Sequence, residues 1–256
     1  GTTQYRPPEL GTVSAPDQEY VDAKPDVVLV TLGADDIHFA TIVKDCLINA
    51  ATNILTKGHV GLKCTASNPG PSVQSHFWNA LPSMPSNYEA LAAEIQALGD
   101  AASTPKEPKV IFTDYMDPLP PAGRTCPDTM IIKNTPILQP TQITYLNHLL
   151  STLNSMIMTT VAGIEKSDPN VSLVDISKSF AGHTWCTSNP WDYGLSVYYP
   201  TDLKKLATAY FERDKSGAPF HPTPKGQSVI AGLVSPEVNS LLAKEPPDTT
   251  AFSGAG

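Results

Sequence analysis

The sequence predicts an α/β fold, a parallel sheet flanked by helices in three layers, and three apolar runs carry that prediction. Val27 to Leu32 is an almost unbroken series of aliphatic and β-branched residues closed by Gly33, and Val110 to Thr113 and Val171 to Ile176 repeat the pattern. Runs of this kind are characteristic of parallel strands buried on both faces. The segments between them carry apolar residues at helical spacing. Strands alternating with helices imply one parallel sheet with right-handed crossovers.

In chain order, residues 1 to 24 read as a polar approach with a short helix around Asp17 to Ala23. Asp36 to Leu55 suits a helix, with Ile37, Ala40, Ile42, Val43, Leu47 and Ile48 spaced three to five apart. Either Asp35 or Asp36 could serve as its N-cap. Residues 58 to 83, rich in Gly, Pro, Ser and Asn, read as an irregular excursion, after which Ser86 and Glu89 have capping-box spacing for a helix to about Ala101. Thr141 to Ile164 is the clearest amphipathic helix, with Met156 and Met158 as core filler. Gly182 to Gly217 is a long loop with a helix at Asp202 to Glu212, and Pro224 to Leu233 forms a last helix. One domain over residues 1–244 and a flexible tail over 245–256 are expected.

The 256 residues, 41% of them hydrophobic, suffice for a single sizeable core. A net charge of −8 provides no basic footprint, so nucleic acid is not an expected partner. No apolar run approaches the roughly 18–20 residues of a membrane span. The chain opens on Gly1 without a leader pattern, which suggests a processed product. Its four cysteines lack any C-x-x-C spacing and suit two disulfides, expected as Cys46–Cys64 and Cys126–Cys186. Together with 25 prolines and the sequon at Asn170, they favour an extracellular setting.

Two stretches carry the chemistry. Gly33-Ala34-Asp35-Asp36 leaves the carboxyl end of the first apolar strand, where open α/β sheets bind ligands. Ala218-Pro219-Phe220-His221-Pro222, with Gly226 shortly after, leads into the last helix. The pair resembles the third and fifth blocks of the SGNH (GDSL) hydrolases. Val174-Asp175-Ile176, then Ser179 to His183 and Cys186, are similar to the segment before the catalytic loop in secreted members.

That resemblance implies a flavodoxin-like SGNH fold and a carboxylic-ester hydrolase acting on lipid or carbohydrate esters without a cofactor. A serine attacks the carbonyl, a histidine takes its proton, and N–H donors hold the oxyanion. His221 matches the base, and Pro222 biases it to an extended conformation suited to aiming its ring into a crevice. His38, His59, His76, His148 and His183 have no companions at ligand spacing and are read as structural or exposed, so no metal is expected. Gly33 and Asp36 take structural places.

Three departures accompany the resemblance. Ala218 stands where the family has its acid, leaving the Ala218 carbonyl or, seven residues before His221, Asp214 to orient the imidazole. Asp35 replaces the oxyanion Asn, and an ionised carboxylate can only accept hydrogen bonds. No Gly-Asp-Ser block precedes Asp26; Gly1-Thr2-Thr3 resembles the remnant of the second block, whose Gly1 N–H would be an oxyanion donor. Strands one and two and the nucleophile are therefore expected on an upstream segment or companion chain. The alternative is a catalytically inactive SGNH-like binding or structural domain.

Overall fold

The computed structural model describes residues 23–101, 107–124, 130–132, 135–136, 138–194 and 220–243. Two of the three apolar runs form β1 (Val27–Val30) and β2 (Lys109–Thr113). A short antiparallel pair follows, β3 (Met130–Ile132) with β4 (Thr135–Pro136), and the third run forms β5 (Val171–Val174). The main sheet is parallel in the order β1-β2-β5, with Val28 opposite Val110 and Val110 opposite Val171. Among the described residues four α-helices flank it: α1 (Phe39–Leu55), α2 (Met84–Ala101), α3 (Pro140–Ser167) and α4 (Pro224–Ala243).

On one sheet face, Val30, Val110, Phe112 and Val171 join a core with Ile42 and Leu47 of α1, Tyr88 and Ile95 of α2, and Leu146, Leu153 and Ile157 of α3. Full burial of an aliphatic side chain is worth about 1.5–3 kcal/mol, so this face supplies much of the cohesion. Central strand β2 is buried on both faces, as expected, with Val110, Ile111 and Phe112 inaccessible. The same expectation fails for β1. Leu29 is 57% exposed, because β1 lies at the sheet edge and no described element covers its second face.

Helix boundaries depart from the sequence reading for identifiable reasons. Residues 34–38 form turns before α1, whose N-cap is His38 in the left-handed region (φ 52°) with no side-chain cap, so neither Asp35 nor Asp36 has that role. Ala40, assigned to the buried face of α1, is exposed. The irregular excursion ends by residue 70; residues 71–83 are already helical, through a π-helical turn at Val73–Trp78 and a 3-10 turn at Leu81–Ser83. Ser86 therefore lies inside α2, where its hydroxyl donates to the Ser83 carbonyl (2.8 Å), and the predicted capping box does not form.

A capping box does open α3, where Gln139 and Gln142 satisfy each other's backbone N–H groups. Buried Gln142 also donates to the carbonyls of Cys46 (3.2 Å) and Lys63 (3.0 Å), tying α3 to the loop after α1. Met156 packs against the core, whereas Met158 is 39% exposed and is not core filler. Helix α4 continues past Leu233 and through Pro236 to Ala243, although proline forfeits a backbone hydrogen bond there.

The Cys46–Cys64 disulfide is present, with Cα atoms 5.5 Å apart across 18 residues of sequence. A loop of that length gains about 3 kcal/mol in the chain-entropy account. Cys186 is also disulfide-bonded, and its expected partner Cys126 lies outside the described residues. Outside them too are the expected helix at 202–212, the tail at 245–256, and all but Ala23 of the helix expected at 17–23. No described helix is long and apolar enough to cross a membrane.

Candidate active site at the carboxyl edge of the sheet

Because all three strands of the main sheet run parallel, the segments leaving their carboxyl ends gather on one rim. At the end of β1, Gly33 adopts φ +114°, and a Cβ there would lie 2.6 Å from Met84 Cε and 3.2 Å from the Tyr88 hydroxyl. Glycine meets both demands. The Tyr88 hydroxyl donates to the Leu32 carbonyl, Thr31 and Thr113 share a hydroxyl hydrogen bond of 2.6 Å, and the Ala34 N–H donates to the Tyr115 hydroxyl at 3.0 Å. These links fasten the first turn to the end of β2. Within it Asp35 is exposed and Asp36 half-buried; burial, then the charge of Asp35, raises the Asp36 carboxyl, while His38 opposes them.

At the end of β2, Asp114 is fully buried. Its Oδ1 accepts the Ile176 N–H at 2.7 Å, while Oδ2 meets no donor. Desolvation pushes its pKa up to about 7, and the nearby Asp175 carboxylate adds to the rise. Asp175 is shifted the other way, chiefly by the Ser177 hydroxyl at 2.6 Å. Burial also pushes Asp117 up to about 6, although its carboxylate accepts the Leu119 N–H at 3.0 Å. Between these acids, Asn154 of α3 holds the Tyr115 backbone at two points, accepting from its N–H (3.0 Å) and donating to its carbonyl (2.7 Å).

The segment after β5 carries the rim across to His221. Asp117 N–H donates to the Ser177 carbonyl (3.1 Å), and Trp185 N–H reaches both the Pro118 carbonyl (3.0 Å) and the Asp192 carboxylate (3.1 Å). Residues 191–193 then pair antiparallel with 220–223. Tyr193 N–H donates to the His221 carbonyl (2.9 Å), Phe220 N–H to the Tyr193 carbonyl (2.7 Å), and Thr223 N–H to the Trp191 carbonyl (2.8 Å). Phe220 has φ 64° and packs edge-on against Trp185 at 5.7 Å. A left-handed bulky residue is costly and persists only where its surroundings enforce it.

His221 is exposed, immediately after that kink. Asp192 and Pro222 face each other across the pairing, so alternation along an extended segment puts the His221 side chain on the opposite face from Asp192. The Asp192 carboxyl, pushed up to about 7 by burial, thus braces the loop rather than the imidazole. Trp191 stacks on His183 with ring centroids 3.7 Å apart, and Lys225 lies over the Trp191 ring.

Of the residues singled out from sequence, Gly33, Asp35 and Asp36 lie on this rim, and the backbone pairing of 191–193 with 220–223 joins His221 to it. Gly1, Asp214 and Ala218 lie outside the described residues. Sequence reasoning passed over Asp114, Tyr115, Asn154 and Asp192. The one available signal is position: residues 114–121 directly follow the apolar run Val110 to Thr113. His38 and His76, read as structural or exposed, pack with their ring centroids 4.4 Å apart, brought together by the π-helical turn. Among the described residues no group of three or more His, Cys, Asp or Glu is arranged to hold a metal.

The buried acids give the fold a pH dependence of definite sign. Asp114 and Asp192 bind protons more tightly in the native state than at their unfolded value near 3.8. Their stabilising contribution is complete below about pH 4 and is lost as pH rises through about 7. Asp192→Asn, which retains an acceptor for Trp185 N–H and cannot ionise, is expected to lose less melting temperature than the parent between pH 5 and pH 8. Parallel calorimetric curves for the two proteins would contradict this assignment.

No protein-family model and no curated protein matches the chain. Among solved structures it is similar to phospholipase A1 from Streptomyces albidoflavus NA297, with TM-score 0.51 and 18% identity over 88% of this chain and 75% of that one. It also aligns with the extracellular lipase of Streptomyces rimosus, with TM-score 0.44 and 20% identity over 84% of this chain and 69% of that one. The first likeness establishes the class of fold: three parallel strands flanked by four helices among the described residues. That architecture is the parallel, helix-flanked α/β class expected from the apolar runs at Val27, Val110 and Val171.

Proposed function

We propose that this chain is the histidine-bearing portion of a secreted carboxylic-ester hydrolase of the lipase or esterase type, with His221 as general base. The observation that carries the reading is the antiparallel pairing of 191–193 with 220–223, which ties an exposed histidine to the carboxyl rim of an SGNH-type sheet. The nucleophilic serine is assigned to a segment upstream of Gly1 or to a companion chain. The second face of β1, which no described element covers and where Leu29 is exposed, supports a further apolar element beside it.

In the reaction, His221 accepts the serine hydroxyl proton as the serine oxygen bonds to the ester carbonyl carbon. The carbonyl electron pair moves onto oxygen. Collapse of this intermediate expels the alcohol, which takes the proton from His221, and water repeats the sequence on the acyl-enzyme. The Ala218 carbonyl, or alternatively the Asp214 carboxylate, would orient the imidazole, and the Gly1 N–H would contribute to the oxyanion site. Asp35 opposes it, because a carboxylate beside developing negative charge raises the barrier.

Native protein, including any companion segment, is expected to hydrolyse short-chain p-nitrophenyl esters slowly. Asp35→Asn should raise kcat more than it lowers KM, because the new donor interacts most strongly in the transition state. A fall in kcat in that variant would show that Asp35 itself serves the reaction. No ester turnover by the native protein would favour the alternative, an inactive domain of the same fold.

A further inference from the structure

Asp35 leaves the oxyanion site short of a side-chain donor, and the end of the neighbouring strand holds a group that can replace it. We propose that the Tyr115 hydroxyl donates a hydrogen bond to the ester oxyanion, taking the place of the donor that Asp35 cannot provide. This inference rests on the ester-hydrolase reading above.

The geometry fixes both ends of Tyr115. Its backbone is clamped by Asn154 through hydrogen bonds of 3.0 and 2.7 Å, leaving little freedom at the point where β2 enters the rim. Its hydroxyl oxygen accepts the Ala34 N–H at 3.0 Å, inside the Gly33–Asp36 block. A tyrosine hydroxyl has one proton to give as well as lone pairs to receive. With the Ala34 amide occupying one side of the oxygen, the proton must point elsewhere, and it reaches no acceptor among the described residues. The side chain is neither fully buried nor fully exposed, as a group lining a crevice should be.

The hydroxyl is also in the protonation state that the task needs. Burial, reinforced by the nearby charges of Asp35 and Asp36, pushes its pKa up to about 12, so it remains a neutral donor across the working range of an esterase. The Ala34 amide polarises the phenolic oxygen and strengthens donation from its proton. In the acylation step no proton leaves Tyr115. As the serine oxygen bonds to carbon and the carbonyl pair moves to oxygen, the phenol only shortens its hydrogen bond to the new charge.

The test compares the parent, Tyr115→Phe and His221→Ala, each with the companion segment present, on a short-chain p-nitrophenyl ester. It adds inhibition by a short-chain trifluoromethyl ketone, which forms a tetrahedral oxyanion on a serine enzyme. Tyr115→Phe preserves the ring, the Asn154 clamp and most of the packing. It should lower kcat by about 10²–10³-fold, the usual effect of losing one oxyanion donor, with KM changed by less than about 3-fold. The ketone should weaken by a similar factor, which a purely structural role would not produce. An unchanged kcat, or a loss confined to KM and melting temperature with ketone affinity intact, would overturn the role of Tyr115. Full turnover in His221→Ala together with a loss in Tyr115→Phe would remove His221 and retain Tyr115. Absence of turnover in the parent would overturn both readings.

Discussion

His221→Ala is expected to lose ester turnover by at least about 10⁴-fold, the upper end of what a positioned general base supplies, because in the proposed reaction the base also generates the nucleophile. Four of the other five histidines are already packed against other rings. His183 is stacked against Trp191 with its Nδ1 at 2.8 Å from the Asn189 carbonyl, His38 and His76 pack against each other, and His148 lies on α3 beside Tyr145. The imidazole is exposed, so its removal opens no cavity and the melting temperature should stay within about 1–2 °C, as for surface substitutions generally. Turnover of short-chain p-nitrophenyl ester, measured with circular dichroism as a folding control, separates chemistry from stability. Retention of activity in a folded His221→Ala protein would dismiss the site assignment.

Gly226→Ala is the second large effect, and it acts on the same histidine from behind. Gly226 is buried in the first turn of α4, and a Cβ there would lie 2.2 Å from the Trp191 carbonyl oxygen, 2.6 Å from Phe180 Cζ and 3.1 Å from Pro222 Cβ. The backbone oxygen cannot yield, since it also accepts from Thr223 N–H (2.8 Å) and the Thr223 hydroxyl (3.0 Å). Overpacking of this kind costs about 1–3 kcal/mol, and the strain is delivered to the pairing that carries His221. Both kcat and melting temperature should therefore fall, with kcat affected more than KM. Gly232, exposed in the same helix with open space around it, is the control: Gly232→Ala should stabilise by about 0.5–1 kcal/mol and leave kcat alone. Equal behaviour of the two variants would refute the bracing role of Gly226.

How much of this was legible depended on whether a feature has a local cause. The strands at Val27, Val110 and Val171 and the long stripe of α3 announce themselves, because apolar periodicity and β-branching act within a few residues. The Cys46–Cys64 pairing was likewise readable from four cysteines and a short loop. Burial of Asp114 and Asp192 was not, since a carboxylic acid carries no local sign that it will be enclosed and protonated by distant segments. Nor was the π-helical turn, which joins residues that read as Gly- and Pro-rich loop to α2 and brings His76 to His38. The edge exposure of Leu29 escaped for a related reason: an apolar run reveals strand character, while the neighbours that cover it are decided by topology.

Both pairings in the main sheet also set the kinetics of its assembly. Thr31 meets Thr113 across 82 residues and Lys109 meets Asn170 across 61, so no hairpin can nucleate the sheet. Long-range parallel pairing pays its loop-closure entropy before any strand contact rewards it, which makes such chains slow to fold. The Cys46–Cys64 crosslink spans only 18 residues, so it shortens the first route modestly and the second not at all. During that delay Val27 to Leu32 stays an unpaired apolar segment, the type of intermediate that self-associates at micromolar concentration. Recovery of native material should consequently depend on how dilute the chain is while it folds, more than on how oxidising the medium is.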